Sequence, residues 1–168
     1  MTGMLGQPMP ESLFGFLLDL EVRKAFRLRY CVSVVCIAPD VHPHDVAPEY
    51  ARYLGARATQ QLRTIDSVTM LRRDALGILL IDADPSKLPL ILNRLMKDLC
   101  AHPMKASGHA RRPTWSAGGS SYPATAHNKG ELLEQAVSLM LKAKKDGGNR
   151  SYIPGGSVPT LPLGPSAL

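Results

Sequence analysis

The sequence predicts a mixed α/β fold in which helices flank a single sheet. Segments with helical periodicity alternate along the 168-residue chain with short apolar segments that are typical of buried strands. The length fits one domain, and a content of 45% hydrophobic and 20% charged residues is sufficient for a buried core. Together these observations predict one α+β sandwich built on a mixed sheet.

The distribution of charge indicates where this domain begins and ends. Every Lys, Arg, Asp and Glu of the chain lies between Glu11 and Arg150. Residues 1–10 and the Pro- and Gly-rich residues 154–168 are therefore predicted to be flexible tails, and residues 11–153 are predicted to form the domain.

Four helices are predicted, over residues 11–28, 48–63, 85–100 and 129–145. Each of them carries apolar residues at helical spacing, and Pro48 and Pro85 suit a first turn. Gly147 and Gly148 provide a stop signal for the last helix. The apolar face predicted for the first helix consists of Leu13, Phe14, Leu17, Leu20 and Ala25.

Five strands are predicted, over residues 30–38, 67–71, 76–82, 114–122 and 151–153. The first is rich in β-branched residues and nearly uncharged, which indicates burial on both faces. The second and third are separated by four residues, which is hairpin length. Residues 102–113 are predicted to be a basic loop.

Composition restricts the classes of partner and the compartment. A net charge of +6 with a pI near 9.4 favours anionic partners. An aromatic content of 5% offers no stacking platform for single-stranded nucleic acid, which argues against nucleic acid as the partner. Three cysteines without metal-type spacing, and apolar segments too short to span a bilayer, predict reduced thiols and a cytoplasmic protein.

The C-terminal half contains segments that resemble a known family. Residues 114–123 read TWSAGGSSYP, which is similar to the TVSxGxAxYP strand of GGDEF domains, the diguanylate cyclase fold. Residues 131–136 (ELLEQA) and 142–150 (KAKKDGGNR) are similar to the family's following helix and its end. The resemblance covers roughly residues 16–153 and implies a mixed sheet of the nucleotidyl-cyclase palm type flanked by helices.

The predicted hairpin turn departs from the signature of that family. Where the family has LGGDEFAILL, residues 71–80 read LRRDALGILL, so that only Asp74 is kept from the five-residue motif. The resemblance implies that two arginines fill the space in which glycine amides approach a triphosphate, and that no carboxylate holds magnesium at the fourth position. The degenerate active-site remnant is Arg72, Arg73, Asp74, Ala75 and Leu76.

The end of the first predicted strand departs from the family as well. The family's metal-binding Asp aligns with Ala38, although Lys144 and Arg150 are kept at positions that help to hold substrate phosphates. The resemblance therefore implies a domain that is not an enzyme, with no catalytic residue, no cofactor and no Mg²⁺ site.

A second site of the family is retained. Arg63-Thr-Ile-Asp66 matches the RxxD motif that marks a binding site for the product, cyclic di-GMP, and Arg94 lies at the place of a further family Arg. An Arg fork can donate to guanine O6 and N7, while an Asp accepts from the other edge of the base. The resemblance implies that Arg63, Asp66 and Arg94 bind cyclic di-GMP, and that ligand drives dimerisation or docking to a signalling partner.

Several alternatives remain beside this interpretation. The main one is a scaffold of the same fold that binds no nucleotide, in which Arg63 and Asp66 form an ordinary solvated pair. Altered nucleotide chemistry and nucleic-acid binding are two others. Arg72 and Arg73 are either exposed turn charges or a docking patch, and the pair His42 and His44 lacks a third metal ligand in the sequence.

Overall fold

The structure, a computed structural model, describes residues 8–46, 50–72, 74–102, 104–106, 109–111 and 113–155. The helices of these residues are α1 (Glu11–Leu28), α2 (Tyr50–Gln61), α3 (Leu88–Ala101) and α4 (Lys129–Lys145). The strands are β1 (Val32–Pro39), β2 (Ser67–Met70), β3 (Leu76–Ile81), β4 (Met104–Ala106), β5 (His109–Arg111), β6 (Trp115–Tyr122) and β7 (Arg150–Tyr152). The predicted bounds of α1 and α4 are confirmed to the residue.

The main sheet has the strand order β2-β3-β1-β6-β7 within the described part of the chain. Strand β1 lies at its centre and is antiparallel to both β3 and β6, whereas β7 is parallel to β6. Strands β4 and β5 form a separate antiparallel pair. The mixed sheet that the sequence predicts is therefore confirmed.

Both faces of the sheet are covered, which explains why β1 is so apolar. Val35 and Ile37 contribute to a core cluster that includes residues of α2 and α3. Val34 and Cys36 point the other way, into a cluster with residues of α1 and α4. Since side chains alternate across a strand, a strand covered on both sides must be apolar at every position. The predicted double burial of this strand is confirmed.

The predicted apolar face of α1 is partly wrong. The residues that pack on the sheet are Phe14, Leu18, Val22 and Ala25. Leu13 and Leu20 are instead 46% and 41% exposed. The N-terminal half of α1 is apolar around most of its circumference, so that spacing alone does not select the stripe that is buried.

The prediction of a loop over residues 102–113 is also wrong. Met104 pairs with Arg111 and Ala106 pairs with His109 in the β4–β5 hairpin. Strands of three residues are too short to show alternation in the sequence, and backbone pairing forms them here.

Helix α4 lies unusually close to β6. A Cβ added at Gly118 would be 2.2 Å from the carbonyl oxygen of Ala136 and 2.5 Å from the backbone nitrogen of Met140. The absence of a side chain at Gly118 is thus what allows the helix to approach the strand, and it brings the end of α4 to the hairpin turn. None of the described helices is long and apolar enough to cross a membrane.

Candidate functional site

The turn between β2 and β3 holds the one acidic residue of the expected signature. Asp74 is 3% exposed and its Oδ2 accepts a hydrogen bond of 2.9 Å from Nζ of Lys144, near the C-terminal end of α4. The turn is closed by hydrogen bonds from the Leu71 and Ala75 amides to the carbonyls of Ala75 and Arg72, at 2.9 and 3.3 Å. The two charges retained at this place therefore neutralise each other.

Two methyl groups stand next to this ion pair. Ala38 and Ala75 are both fully buried and belong to the same apolar cluster. The pairing of Ile37 with Leu76 places these two alanines side by side on neighbouring strands. Neither side chain has an oxygen that could coordinate a metal ion. Arg72 is exposed, and the predicted residue Arg73 lies outside the described residues.

The surroundings of the pair act on the thiol of Cys36. Burial is the largest cause that raises the pKa of Cys36, to about 12, and the nearby carboxylate of Asp74 raises it further. The positive charges of Arg72 and Lys144 act in the opposite direction. The thiol is therefore protonated at neutral pH and is a poor nucleophile.

Asp40, directly after β1, is a connecting residue that the sequence did not single out. Its carboxylate accepts hydrogen bonds of 2.6 Å from the hydroxyls of Thr114 and Ser116 and one of 2.7 Å from the backbone amide of Asn149. Gly148 has a φ of +73°, and a Cβ there would lie 2.6 Å from the Asp40 carboxylate. Asp40 thereby fixes the loop between α4 and β7 against the end of β1.

The RxxD residues come together at the loop between α2 and β2. The Arg63 side chain donates to both carboxylate oxygens of Asp66, at 3.3 and 3.4 Å, and also to the carbonyl of Ile81 at the end of β3. Asp66 accepts in addition from the backbone amides of Arg63 and Ile81, each at 3.1 Å. Its side chain is 3% exposed, whereas that of Arg63 is 53% exposed. Asp66 is thus a buried anchor, and the guanidinium that it holds faces solvent.

Arg94, the third predicted member, reaches the same loop from α3. Its Nη2 donates a hydrogen bond of 2.7 Å to the carbonyl of Gln61, two residues before Arg63. The structure therefore brings all three predicted residues to one region of the surface. Two exposed guanidinium groups lie there, with the exposed side chain of Ile65 in the same loop.

The other residues considered from the sequence form no comparable cluster. The rings of His42 and His44 stack with centroids 5.0 Å apart. Among the described residues, no group of three or more His, Cys, Asp or Glu side chains could hold a metal ion. The side chains of Arg111 and Arg112 are outside the described part of the chain.

Comparisons with known structures identify the fold. The GGDEF domain of YfiN (also called TpbB) from Pseudomonas aeruginosa is 22% identical and superposes with a TM-score of 0.74, covering 89% of this chain and 98% of that one. The GGDEF domain of DgcB from Caulobacter crescentus, solved in complex with c-di-GMP, is 13% identical with a TM-score of 0.75 and covers 90% and 94%. Diguanylate cyclase SiaD from Pseudomonas aeruginosa, solved with its activator SiaC, is 14% identical with a TM-score of 0.69 and covers 84% and 57%.

The sequence itself is matched at the level of the family. No curated protein is found that matches this chain. The family model described as "Diguanylate cyclase, GGDEF domain" matches residues 40–150, which is more than half of the chain. The chain belongs to the GGDEF family.

Proposed function

We propose that this GGDEF domain is a receptor for cyclic di-GMP and does not synthesise it. The observation that supports binding is the pair of exposed guanidinium groups, Arg63 and Arg94, which come from different elements to one loop. Arg forks suit both the O6 and N7 atoms of guanine and the phosphates of a cyclic dinucleotide. A relative of the same fold, DgcB, has been solved with this ligand.

In this proposal Asp66 acts by orienting Arg63. Four donors already surround its carboxylate, and the side chain is almost fully buried. Such an anchor holds the Arg63 fork in place before ligand arrives, which lowers the entropy lost on binding. Direct acceptance from guanine, which the sequence suggested for Asp66, would require these hydrogen bonds to break.

The proposed lack of catalysis is supported by the alanines at positions 38 and 75 and by the Asp74–Lys144 pair. Cyclase chemistry needs carboxylates that hold a metal ion beside the reacting phosphates. Here the two aligned positions carry methyl groups, and the one retained carboxylate is neutralised by the retained lysine. We therefore expect no formation of cyclic di-GMP from GTP in the presence of Mg²⁺ or Mn²⁺.

Calorimetric titration of the full chain with cyclic di-GMP tests the receptor proposal, with GTP as the control ligand. We expect Arg63→Ala to weaken binding by about 5- to 150-fold, since an Arg fork on guanine contributes about 1–3 kcal/mol. Arg94→Ala should weaken it as well. Arg23→Ala is the matched control, because Arg23 also pairs with an Asp on the surface, but on α1, across the sheet. A folded wild-type protein without affinity for cyclic di-GMP, or metal-dependent product from GTP, would contradict the proposal.

A scaffold that works through protein contacts is the second candidate. It is favoured by the observation that Arg63 and Arg94 already donate to Asp66, Ile81 and Gln61 within the chain. A relative of the same fold, SiaD, has been solved with a protein partner. Partner capture that Arg63→Ala leaves intact, in a protein that does not bind cyclic di-GMP, would support this candidate.

A further inference from the structure

Helix α1 presents a second apolar stripe, on the side away from the sheet. Leu13, Phe16 and Leu20 are 46%, 64% and 41% exposed, although they lie in the same helix as the buried Phe14 and Leu18. The spacing of three and four residues places them on one line along the helix surface. We call Leu13, Phe16 and Leu20 the outer stripe. Contiguous exposed apolar side chains of this kind mark interaction surfaces more often than isolated ones do.

An open cleft lies directly beside the outer stripe. It has a volume of about 640 Å³ and is formed by α1, by the start of α4 and by Leu71 before the hairpin turn. Its apolar lining includes Phe14, Leu71 and Leu133. A Cβ at Gly15 would meet nothing nearer than Nζ of Lys129 at 4.0 Å, so that the wall of the cleft is open at this residue.

A protruding aromatic ring and a cleft on the same surface are what a twofold interface requires. In such an interface the same patch is used by both protomers, and each feature must find its complement on that patch. If the axis passes near Phe16, the antiparallel α1 helices bring Leu13 of one protomer to the partner's Leu20. Each Phe16 then lies beside the cleft of the other protomer.

The charges along α1 suit the same antiparallel arrangement. Glu11 begins the helix, whereas Arg23 lies one turn beyond Leu20 and is strongly exposed. With the axis near Phe16, Glu11 of one protomer comes close to the partner's Arg23. A parallel arrangement would instead bring equal charges together at each end.

We propose that the outer stripe of α1 joins two copies of this chain into a dimer about a twofold axis near Phe16. Phe16 of each protomer occupies the cleft of the other. This interface is on the opposite side of the sheet from Arg63, so that the dimer forms without cyclic di-GMP and does not depend on the proposed receptor function.

Sedimentation velocity of the full chain, over a range of concentrations and without nucleotide, tests this dimer. The matched pair of variants is Phe16→Asp and Phe26→Asp, because Phe26 lies on the same helix with a similar exposure of 68% but outside the outer stripe. We expect a dimer for the wild type and for Phe26→Asp, and dissociation at least tenfold weaker in affinity for Phe16→Asp. A monomeric wild type, or equal weakening by both variants, would overturn the proposal.

A second pair of variants excludes a trivial loss of folding. Gly15→Leu raises the helix propensity of α1 while its side chain fills the cleft, and Gly15→Ala raises the propensity with little filling. We expect Gly15→Leu, but not Gly15→Ala, to weaken the dimer by about tenfold or more. If Gly15→Leu leaves the dimer intact, Phe16 does not occupy the cleft, and the proposed geometry is wrong.

Two further measurements identify the occupant of the stripe. A short bismaleimide should cross-link Phe16→Cys to itself across the axis, but neither the wild type nor Phe26→Cys. Arg63→Ala should sediment as the wild type does, which separates this dimer from one driven by ligand. Flotation of a monomeric wild type with phosphatidylglycerol vesicles, abolished by Phe16→Asp, would show that the stripe binds a membrane surface and would overturn the dimer.

Discussion

The Asp74–Lys144 pair allows a quantitative test of how the hairpin turn is held. Its N–O distance is 2.9 Å, and the side chains are 4% and 20% exposed, respectively. Lys142 forms a second pair with Asp146 on the same helix, at 2.7 Å, but there the side chains are 61% and 33% exposed. The two pairs have similar geometry and differ chiefly in burial. Replacing each lysine by methionine therefore isolates the effect of burial.

The expected losses of stability differ several-fold. Lys144→Met leaves the carboxylate of Asp74 buried without its cation, and breaking a buried pair in this way costs about 3–5 kcal/mol. We expect about 3 kcal/mol, because Lys144 keeps part of its surface in water. Lys142→Met removes an exposed pair and a contact over the ring of Tyr152, and should cost about 1 kcal/mol or less.

Equilibrium unfolding in urea measures both values. For a slope of about 1.5–3 kcal/mol/M, the loss in Lys144→Met corresponds to a midpoint lower by about 1–2 M. A double-mutant cycle with Asp74→Asn should give a coupling of at least about 2 kcal/mol. Equal losses for the two lysine variants, or a coupling near zero, would refute the argument that this pair fixes the turn through a buried charge interaction.

Two further predictions concern β6 and β1. Gly118→Ala should destabilise the fold by more than about 3 kcal/mol in the same unfolding assay, because its Cβ would strike backbone atoms of α4 that cannot move separately. Gly119→Ala should cost less, about 1–2 kcal/mol, since its Cβ would meet only the side chains of Ile153 and Leu88 at 3.1 and 3.2 Å; a comparable cost at both glycines would contradict this reasoning. Burial raises the pKa of Cys36 from 9.0 to about 12, so that above pH 9 the unfolded chain loses this proton while the folded chain keeps it, and stability falls as the pH rises. The fall should be smaller in Cys36→Ala when unfolding is followed from pH 8 to pH 11, and an unchanged pH dependence would show that Cys36 is not its source.

Local patterns were sufficient wherever an element has one clear burial requirement. Strand β1 is apolar throughout because both faces are covered, and α4 has one buried stripe between a capping Asn128 and two glycines with positive φ. The same patterns could not resolve α1, which is apolar on two sides, or the β4–β5 hairpin, whose strands are three residues long. In both cases the deciding contacts are made with other parts of the chain.

The candidate sites show the same division between local and distant information. Arg63 and Asp66 could be paired from the sequence because they are three residues apart on one short loop. The burial of Asp66 could not be predicted, since it depends on the amide and carbonyl of Ile81 on a neighbouring strand. The role of Asp40 depends on partners that are 74, 76 and 109 residues away in the chain.

The sequence by itself determined the order of the main elements, the membership of both ends of α4 and β1 in the domain, and the replacement of carboxylates by Ala38 and Ala75. These are properties of residue type and spacing, which folding does not change. Only the tertiary structure decided that Asp74 meets Lys144, that Asp66 is an anchor, and that Phe16 stands exposed beside a cleft. Each of these outcomes depends on which surfaces the closed sheet brings together, because burial and charge pairing are set by neighbours that are distant in the chain.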